Sequence, residues 1–368
     1  MTGTVGSCEV RHSELASPAA TGAVSPLLAD HTTLRVGGAA SRVVRATTTD
    51  ELVGTVANAD AAGEPVLIVG GGSNLLVGDD GFDGVVVLVA TRDLVADVSS
   101  CAGAMLTAAA GEPWDTVVAH SVASGWVGLE ALSGIPGLTG STPIQNVGAY
   151  GADVSQTIAS VRTWDRHERA FRTFASADCG FGYRSSRFKA APGRYVVVSV
   201  TFQLQLGDLS APVRYADLAA ELGVGLGERV DTTRLREAVL AVRRRKGMVL
   251  DPADHDTWSA GSFFTNPVLA PAAAAALPEG APRHPQPDGT VKSSAAWLIE
   301  HAGFGRGFAL GDGPPRASLS TRHTLALTNR GGATAADLVH LARAVRDGVE
   351  RAYGVTLVPE PVLVGCDI

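Results

Sequence analysis

The segment SAGSFFTNP, residues 259–267, sets one hydroxyl, Ser262, after Gly261 and before Phe263 and Phe264. Glycine lets a backbone or a ligand approach closely, and two phenylalanines build an apolar wall that excludes water. A serine held there suits a reaction that needs a single proton delivered in a dry place. It equally suits a turn ahead of a buried aromatic pair, and the segment alone leaves both readings open. Two glycine-rich stretches suggest a different chemistry. In VLIVGGGSNLLVGDDG, 66–81, a strand-like run enters consecutive glycines whose backbone N–H groups can cradle a phosphate. No Gly-Lys-Ser/Thr follows, which argues against a P-loop. After Asn74 the chain reads as turns and another strand, not as the helix of a dinucleotide fingerprint. The second stretch, SGIPGLTGSTPIQNVGAYGADV (133–154), is too rich in Gly, Pro, Ser, Thr and Asn for regular structure. Its amides, with Gln145 and Asn146, could surround a polar cofactor. Either loop alone could be a tight turn; two of them beside strands favour a large anionic ligand.

Elements able to hold these residues are legible nearby. Thr48 and Glu51 make a capping box ahead of Leu52, Val53 and Val56, with Gly63 as the stop. Pro113 suits a first helical position before Val117, Val118 and Val122, with Gly125 ending the helix. TTRLREAVLAVRRRK, 232–246, carries Leu235, Val239 and Val242 on one stripe, and its spacing puts Arg243 and Lys246 on one face at the helix end. There they could also simply complement the helix dipole. Thr334 to Tyr353 places Leu338, Leu341, Val345 and Val349 at helical spacing before Gly354. Strands are predicted at 66–70, 84–89 and 196–206, the last alternating as a half-buried antiparallel strand. Residues 268–289 read as a surface helix and a proline-rich loop. Helices near both ends around a β-rich middle predict an α+β fold.

At 368 residues the chain calls for two or three domains. A hydrophobic fraction of 45% with 18% charged residues builds real cores and argues against disorder. No apolar run approaches membrane-span length, and the first 26 residues read as a flexible lead-in without signal-peptide character. A net charge of −7 without a basic, aromatic-studded cluster argues against nucleic-acid binding. Cys8, Cys101, Cys179 and Cys366 lack metal-ligand spacing, so reduced thiols of a cytoplasmic protein are expected and no metal. Lysine occurs only at 189, 246 and 292.

Taken in order, HTTLRVGG (31–38), VGGGSNLLV (69–77), the 133–154 loop, FGYRSSRFK (181–189), RRRKGMVLD (243–251), SAGSFFTNP and PEP (359–361) resemble the UDP-N-acetylenolpyruvoylglucosamine reductase family, from about residue 27 to the C-terminus. The resemblance implies a two-part FAD-binding domain of the PCMH/vanillyl-alcohol-oxidase type plus a C-terminal α+β substrate-binding domain. Its boundaries would be 1–90 (with 356–368) and 91–247 for the FAD-binding subdomains, and 248–355 for the substrate-binding domain. It implies non-covalent FAD, NADPH as reductant, a cytoplasmic setting and a monomer. The reaction implied is reduction of the enolpyruvyl ether of UDP-N-acetylglucosamine to UDP-N-acetylmuramate, with hydride from reduced flavin and a proton from the protein.

Carried residue by residue, the resemblance makes Ser262 the proton donor, Arg184 the group that meets the substrate carboxylate and its enolate, and Glu360 the third catalytic member. The FAD contacts implied are Gly70, Gly71, Gly72, Ser73, Asn74 and Leu75; Gly134, Ile135, Pro136 and Gly137; Gln145, Asn146, Gly148, Ala149, Tyr150 and Gly151; and Arg243. Tyr183, Tyr215, Lys246 and Asn266 match substrate-contacting positions, Tyr215 in a loop that closes over the nucleotide in the longer family subtype. Departures are Gly140-Ser141-Thr142-Pro143 beside FAD, His284 where many relatives have tyrosine, and His323 where some have glutamine. Two rivals are an oxidase of the same FAD fold, which would lack the Ser262, Arg184 and Glu360 set, and a paralogue that binds flavin or UDP-sugar without turnover.

Overall fold

The computed structural model describes residues 10–15 and 24–368, so most of the expected lead-in, and Cys8, lie outside the described residues. The chain forms two compact units. The first comprises Arg42–Gly71 and Gly84–Arg244 with the N-terminal segment; the second comprises Ser25–Ser41, Gly72–Asp83 and Arg245–Ile368. Residues 91–244 lie wholly within the first unit.

Of the early elements, β1 (Arg11–Leu15) and β2 (Ala40–Ala46) precede α1 (Thr49–Ala62). The capping box is present as predicted: Thr48 Oγ1 accepts from Glu51 N at 3.1 Å and the Glu51 carboxylate takes Thr48 N. Gly63, at φ 70°, closes the helix in the left-handed conformation. β3 (Val66–Val69), β4 (Leu75–Val77) and β5 (Phe82–Val89) follow. β3 pairs parallel with β5 in a three-stranded sheet ordered β2-β5-β3, and Leu52, Val56 and Ala59 of α1 share its core with Val85 and Val87. Each of the leucine and valine side chains contributes about 1.5–3 kcal/mol by leaving water.

The larger sheet of the first unit is antiparallel. β6 (Leu94–Ser99) and β7 (Gly103–Ala109) precede α2 (Trp114–Ala123), which has Pro113 at its N-cap, one position before the first helical place expected for it. After β8 (Trp126–Val127) come two-residue strands β9 (Gly148–Ala149) and β10 (Ala152–Asp153), then β11 (Ile158–Asp165), β12 (Ala170–Ala175), α3 (Arg187–Ala190) and β13 (Tyr195–Leu206). The order is β1-β6-β7-β13-β11-β12, and β13, the alternating run seen in the sequence, is a central strand. Phe202 of β13 packs on Trp114, whose indole N–H reaches Leu132 O at 3.0 Å. α4 (Ala216–Leu222) and α5 (Thr232–Arg245) form a satellite core through Leu218, Leu222, Leu235 and Val239. Helix α5 ends at Arg245, so Lys246 is the residue immediately after its last turn, ahead of Gly247 at φ 66°.

In the second unit, β14 (Val268–Leu269), α6 (Pro271–Ala275), β15 (His284–Pro285) and β16 (Val291–Lys292) occupy the stretch expected to be a surface helix and loop; the strands form a small sheet. α7 (Ala295–His301), β17 (Ala317–Leu319), β18 (Leu327–Asn329), α8 (Ala335–Tyr353) and β19 (Val362–Val364) complete it. β19 returns to pair in parallel with β4, Val362 opposite Leu75. Phe263 and Phe264 are fully buried in the core beneath α8, with Leu338, Leu341 and Val345. Cys179 and Cys366 are free thiols, as expected for these two. Among the described residues no helix is long and apolar enough to cross a membrane.

Candidate functional site

The first unit presses the start of one glycine loop onto the other. A side chain at Gly71 would place its Cβ 2.7 Å from Gly137 Cα, and one at Gly70 would meet Ser141 Oγ at 2.7 Å. Only glycine permits this approach. The 133–154 loop is itself anchored: Trp114 N donates to Gly137 O at 3.0 Å and Thr139 N to Glu112 O at 2.9 Å. Its irregular course matches the prediction, with short 3-10 turns and no long helix or strand.

Strain concentrates here. Five non-glycine residues among those described have φ between 43° and 53°, and three of them are Asn146, Tyr150 and Arg184. Tyr150, with Gly151 at φ 84°, forms the two-residue turn between β9 and β10. Asn146 is locked by its side chain: Oδ1 accepts from Ser155 N and Nδ2 donates to Gly182 O, both at 3.1 Å. That contact joins the loop to the Gly182–Ser185 turn, and Arg184 Nη2 then donates to Gly148 O at 2.9 Å. Two motifs more than thirty residues apart, singled out separately, thus meet. Tyr183 lies beside the Arg184 guanidinium, 5.7 Å from its ring centre.

Lys189 completes this cluster, donating to Gln145 Oε1 at 3.3 Å and to Arg184 O at 3.0 Å. The sequence assigned it no role, although its place in FGYRSSRFK and the scarcity of lysine were visible. Arg243 is buried; burial pushes its guanidinium down, while Tyr150, to which it is hydrogen-bonded, and Asp115 oppose that. Tyr215 is about half exposed and meets Tyr150 edge-on, ring centres 5.6 Å apart.

The second unit holds the remaining residues. Gly261 takes φ 73°, and a Cβ there would meet nothing within 4 Å. The turn therefore requires a glycine at this position, and no protein backbone packs against it. Phe263 is anchored on both sides: its N–H donates to Leu325 O at 2.7 Å, and its carbonyl accepts from Glu360 N at 2.8 Å. Phe264 pairs with Pro359 in an antiparallel bridge. Ser262 and Glu360, 98 positions apart in the chain, therefore sit on neighbouring backbone segments. Asn74 ties this to the first loop's continuation, its Nδ2 donating to Glu360 O at 3.3 Å and its carbonyl accepting from Val362 N at 3.0 Å. Gly72 lies so close to His31 O that no side chain fits, and Ser73 and Leu75 flank Asn74.

Asn266 Oδ1 accepts from Ala295 N at 3.0 Å, the start of α7, so its carbonyl oxygen serves the fold. Lys246 lies near His323, whose imidazole is driven from the ordinary 6.5 to about 4 by burial and by the charges of Lys246 and Arg306. His323 is thus neutral near pH 7. His284 is exposed on β15, opposite Lys292. Arg184, Tyr183, Tyr215 and Arg243 belong to the first unit, and Ser262, Glu360, Asn266 and Lys246 to the second. Among the described residues no cluster of His, Cys, Asp or Glu could hold a metal. Glycine amides, the amides of Gln145 and Asn146, and fixed arginines fit a ligand that combines a diphosphate with a polar ring system.

Comparison with known proteins agrees with these features. Residues 40–173 match the FAD binding domain, and residues 251–364 match the C-terminal domain of UDP-N-acetylenolpyruvoylglucosamine reductase. The chain is 63% identical over 341 residues to the UDP-N-acetylenolpyruvoylglucosamine reductase of Cutibacterium acnes, covering 93% of this chain and 90% of that protein. It is 55% identical over 349 residues to the reductase of Saccharopolyspora erythraea, covering 92% and 94%. The crystal structure of the Thermus caldophilus enzyme shares the fold, with a TM-score of 0.62 at 24% identity over 97% of this chain and 100% of that one. The chain belongs to the UDP-N-acetylenolpyruvoylglucosamine reductase family and is an FAD-dependent oxidoreductase.

Proposed function

We propose that this chain reduces the enolpyruvyl ether of UDP-N-acetylglucosamine to UDP-N-acetylmuramate, with NADPH as reductant, in peptidoglycan precursor synthesis in the cytoplasm. The observation that carries the mechanism is the pairing of Glu360 N with Phe263 O, which seats the Ser262 and Glu360 segments side by side. Gly70 to Gly72 and the 133–154 loop would hold FAD, which would supply the hydride for the substrate's methylene carbon, with NADPH as the source of its electrons. Arg184 receives the charge that spreads into the substrate carboxylate, a task suited to a planar, permanently charged guanidinium. Its contact with Gly148 O holds it in place for that role. Ser262 Oγ gives its proton to the carbon next to the carboxylate and regains one from solvent as product leaves. A hydroxyl is a weak acid, so it depends on fixed position and exclusion of water, which Phe263 and Phe264 support from the core. Glu360 orients the developing enol. Tyr183, Tyr215, Lys246 and Asn266 hold the nucleotide sugar.

The test is Ser262→Ala. Flavin reduction by NADPH is expected at the wild-type rate, while reoxidation by the enolpyruvyl substrate slows about a hundredfold or more, the usual worth of a general acid. Stopped-flow absorbance separates the halves. Reoxidation at the wild-type rate would remove Ser262 from its role. Rapid oxygen consumption by the reduced wild-type enzyme, without response to the enolpyruvyl substrate, would favour an oxidase instead.

A further inference from the structure

Helix α5 is linked to both ends of the 133–154 loop, at one end through Arg236 and Asp115, which the sequence had not singled out, and at the other through Arg243. At the near end Arg236 grips Asp115 of α2 with both arms of its fork, Nη1 to Oδ1 at 2.7 Å and Nη2 to Oδ2 at 2.8 Å. The same Oδ1 accepts from Gly134 N at 2.6 Å, where the loop begins at φ 69°. Seven residues along α5, hence on the same face, Arg243 is hydrogen-bonded to Tyr150 in the strained turn near the far end. Two arginines about 10 Å apart along one helix thus bracket the loop, with Asp115 as the carboxylate that balances them.

We propose that Asp115 and Arg236 are a positioning pair that sets both the spacing and the charge of the cofactor loop, with α5 as the splint that joins its two ends. Burial disfavours the charged form of Asp115, but Arg236, Gly134 N–H and the nearby charge of Arg243 hold its carboxyl below the usual range, so it is ionised at neutral pH. Neither residue needs to touch the flavin. The pair acts through Gly134 and through the field of Arg243. This inference rests on the assignment of 133–154 to the FAD site.

The test compares Asp115→Asn and Arg236→Gln in the full-length holoenzyme, with Gly71→Ala as a reference for the loop. Asn keeps the volume of Asp and an acceptor for Gly134 N, but it removes a negative charge; Gln removes a positive one. Both variants are expected to raise the FAD dissociation constant about tenfold, the scale of one lost charge-assisted contact. At saturating FAD their midpoint potentials are expected to move in opposite directions, positive for Asp115→Asn and negative for Arg236→Gln, because reduction adds negative charge to the flavin. A purely structural role would not split them by sign. If one variant fails to fold, as judged by thermal melting of the apoprotein, the sign of the other's potential shift still decides. Unchanged flavin affinity and potential in both, with flavin lost in Gly71→Ala, would overturn the pair while leaving the loop assignment intact. Retention of wild-type affinity in all three would overturn both. Potentials that move together would overturn the electrostatic role.

Discussion

Arg184 illustrates how little a residue type says by itself. Its backbone sits at φ 50°, a conformation that costs a non-glycine residue free energy, and its guanidinium is held by Gly148 O while its own carbonyl takes the Lys189 ammonium. A guanidinium can bind that carbonyl and still present other N–H groups to a carboxylate; a lysine offers one point charge on a flexible stem. Arg184→Lys is therefore expected to retain FAD and lower kcat/KM for the enolpyruvyl substrate about tenfold to a hundredfold, the worth of one or two charged hydrogen bonds. Steady-state assays with flavin content checked by absorbance decide this; unchanged kcat/KM would remove Arg184 from substrate recognition. Ser262 is the converse case, since its motif was readable in the sequence while the positive-φ turn at Gly261 was not.

Among the elements, α8 shows which supports sequence can reveal. Thr334 Oγ1 accepts from Asp337 N, and the Asp337 carboxylate takes Thr334 N at 2.8 Å. That box involves neighbours in sequence. The Asp79 carboxylate, distant in sequence, takes Ala335 N at 2.7 Å and Ala336 N at 2.9 Å. It satisfies two more first-turn donors and places negative charge at the positive end of the helix dipole. Thr334→Ala is expected to lower stability by about 1 kcal/mol, and Asp79→Ala by at least as much. Urea titration of each variant measures both, and an Asp79→Ala cost near zero would mean that solvent caps those amides equally well.

For the molecule as a whole, stability depends on which protons the folded state refuses. His323, depressed to about 4, stays neutral in the fold, whereas in the unfolded chain it takes up a proton near its ordinary 6.5. Between those values the unfolded state binds more protons, so stability falls as pH is lowered from about 6.5 to about 4. Asp165, held low by Arg194, and Asp256, held low against its own burial by Thr321 and Arg330, act in a different window. Their stabilisation is present above the ordinary carboxylate range and is lost as pH falls through their depressed values. His323→Gln is expected to flatten the loss between pH 6.5 and 4 while leaving the steeper acid transition below it. Chemical denaturation at pH 7.5 and 5 checks this: an equal loss in both proteins would show that another group is responsible.

The sequence alone determined the α+β class, the capped helices, the alternating strand β13, the irregular glycine loops and, through ordered motifs, the family. These features follow from local rules, since a cap, a period or a glycine run is decided by residues within a few positions of one another. Tertiary structure decided that Arg184 meets Gly148, that Glu360 N pairs with Phe263 O, and that Asp115 links Arg236 to Gly134. It also decided that Lys246 lies past the end of α5 and that residues 25–41 and 72–83 group with 245–368. These depend on chain segments tens to hundreds of residues apart, whose meeting is set by burial of separate apolar faces, and no spacing along one segment encodes that partner.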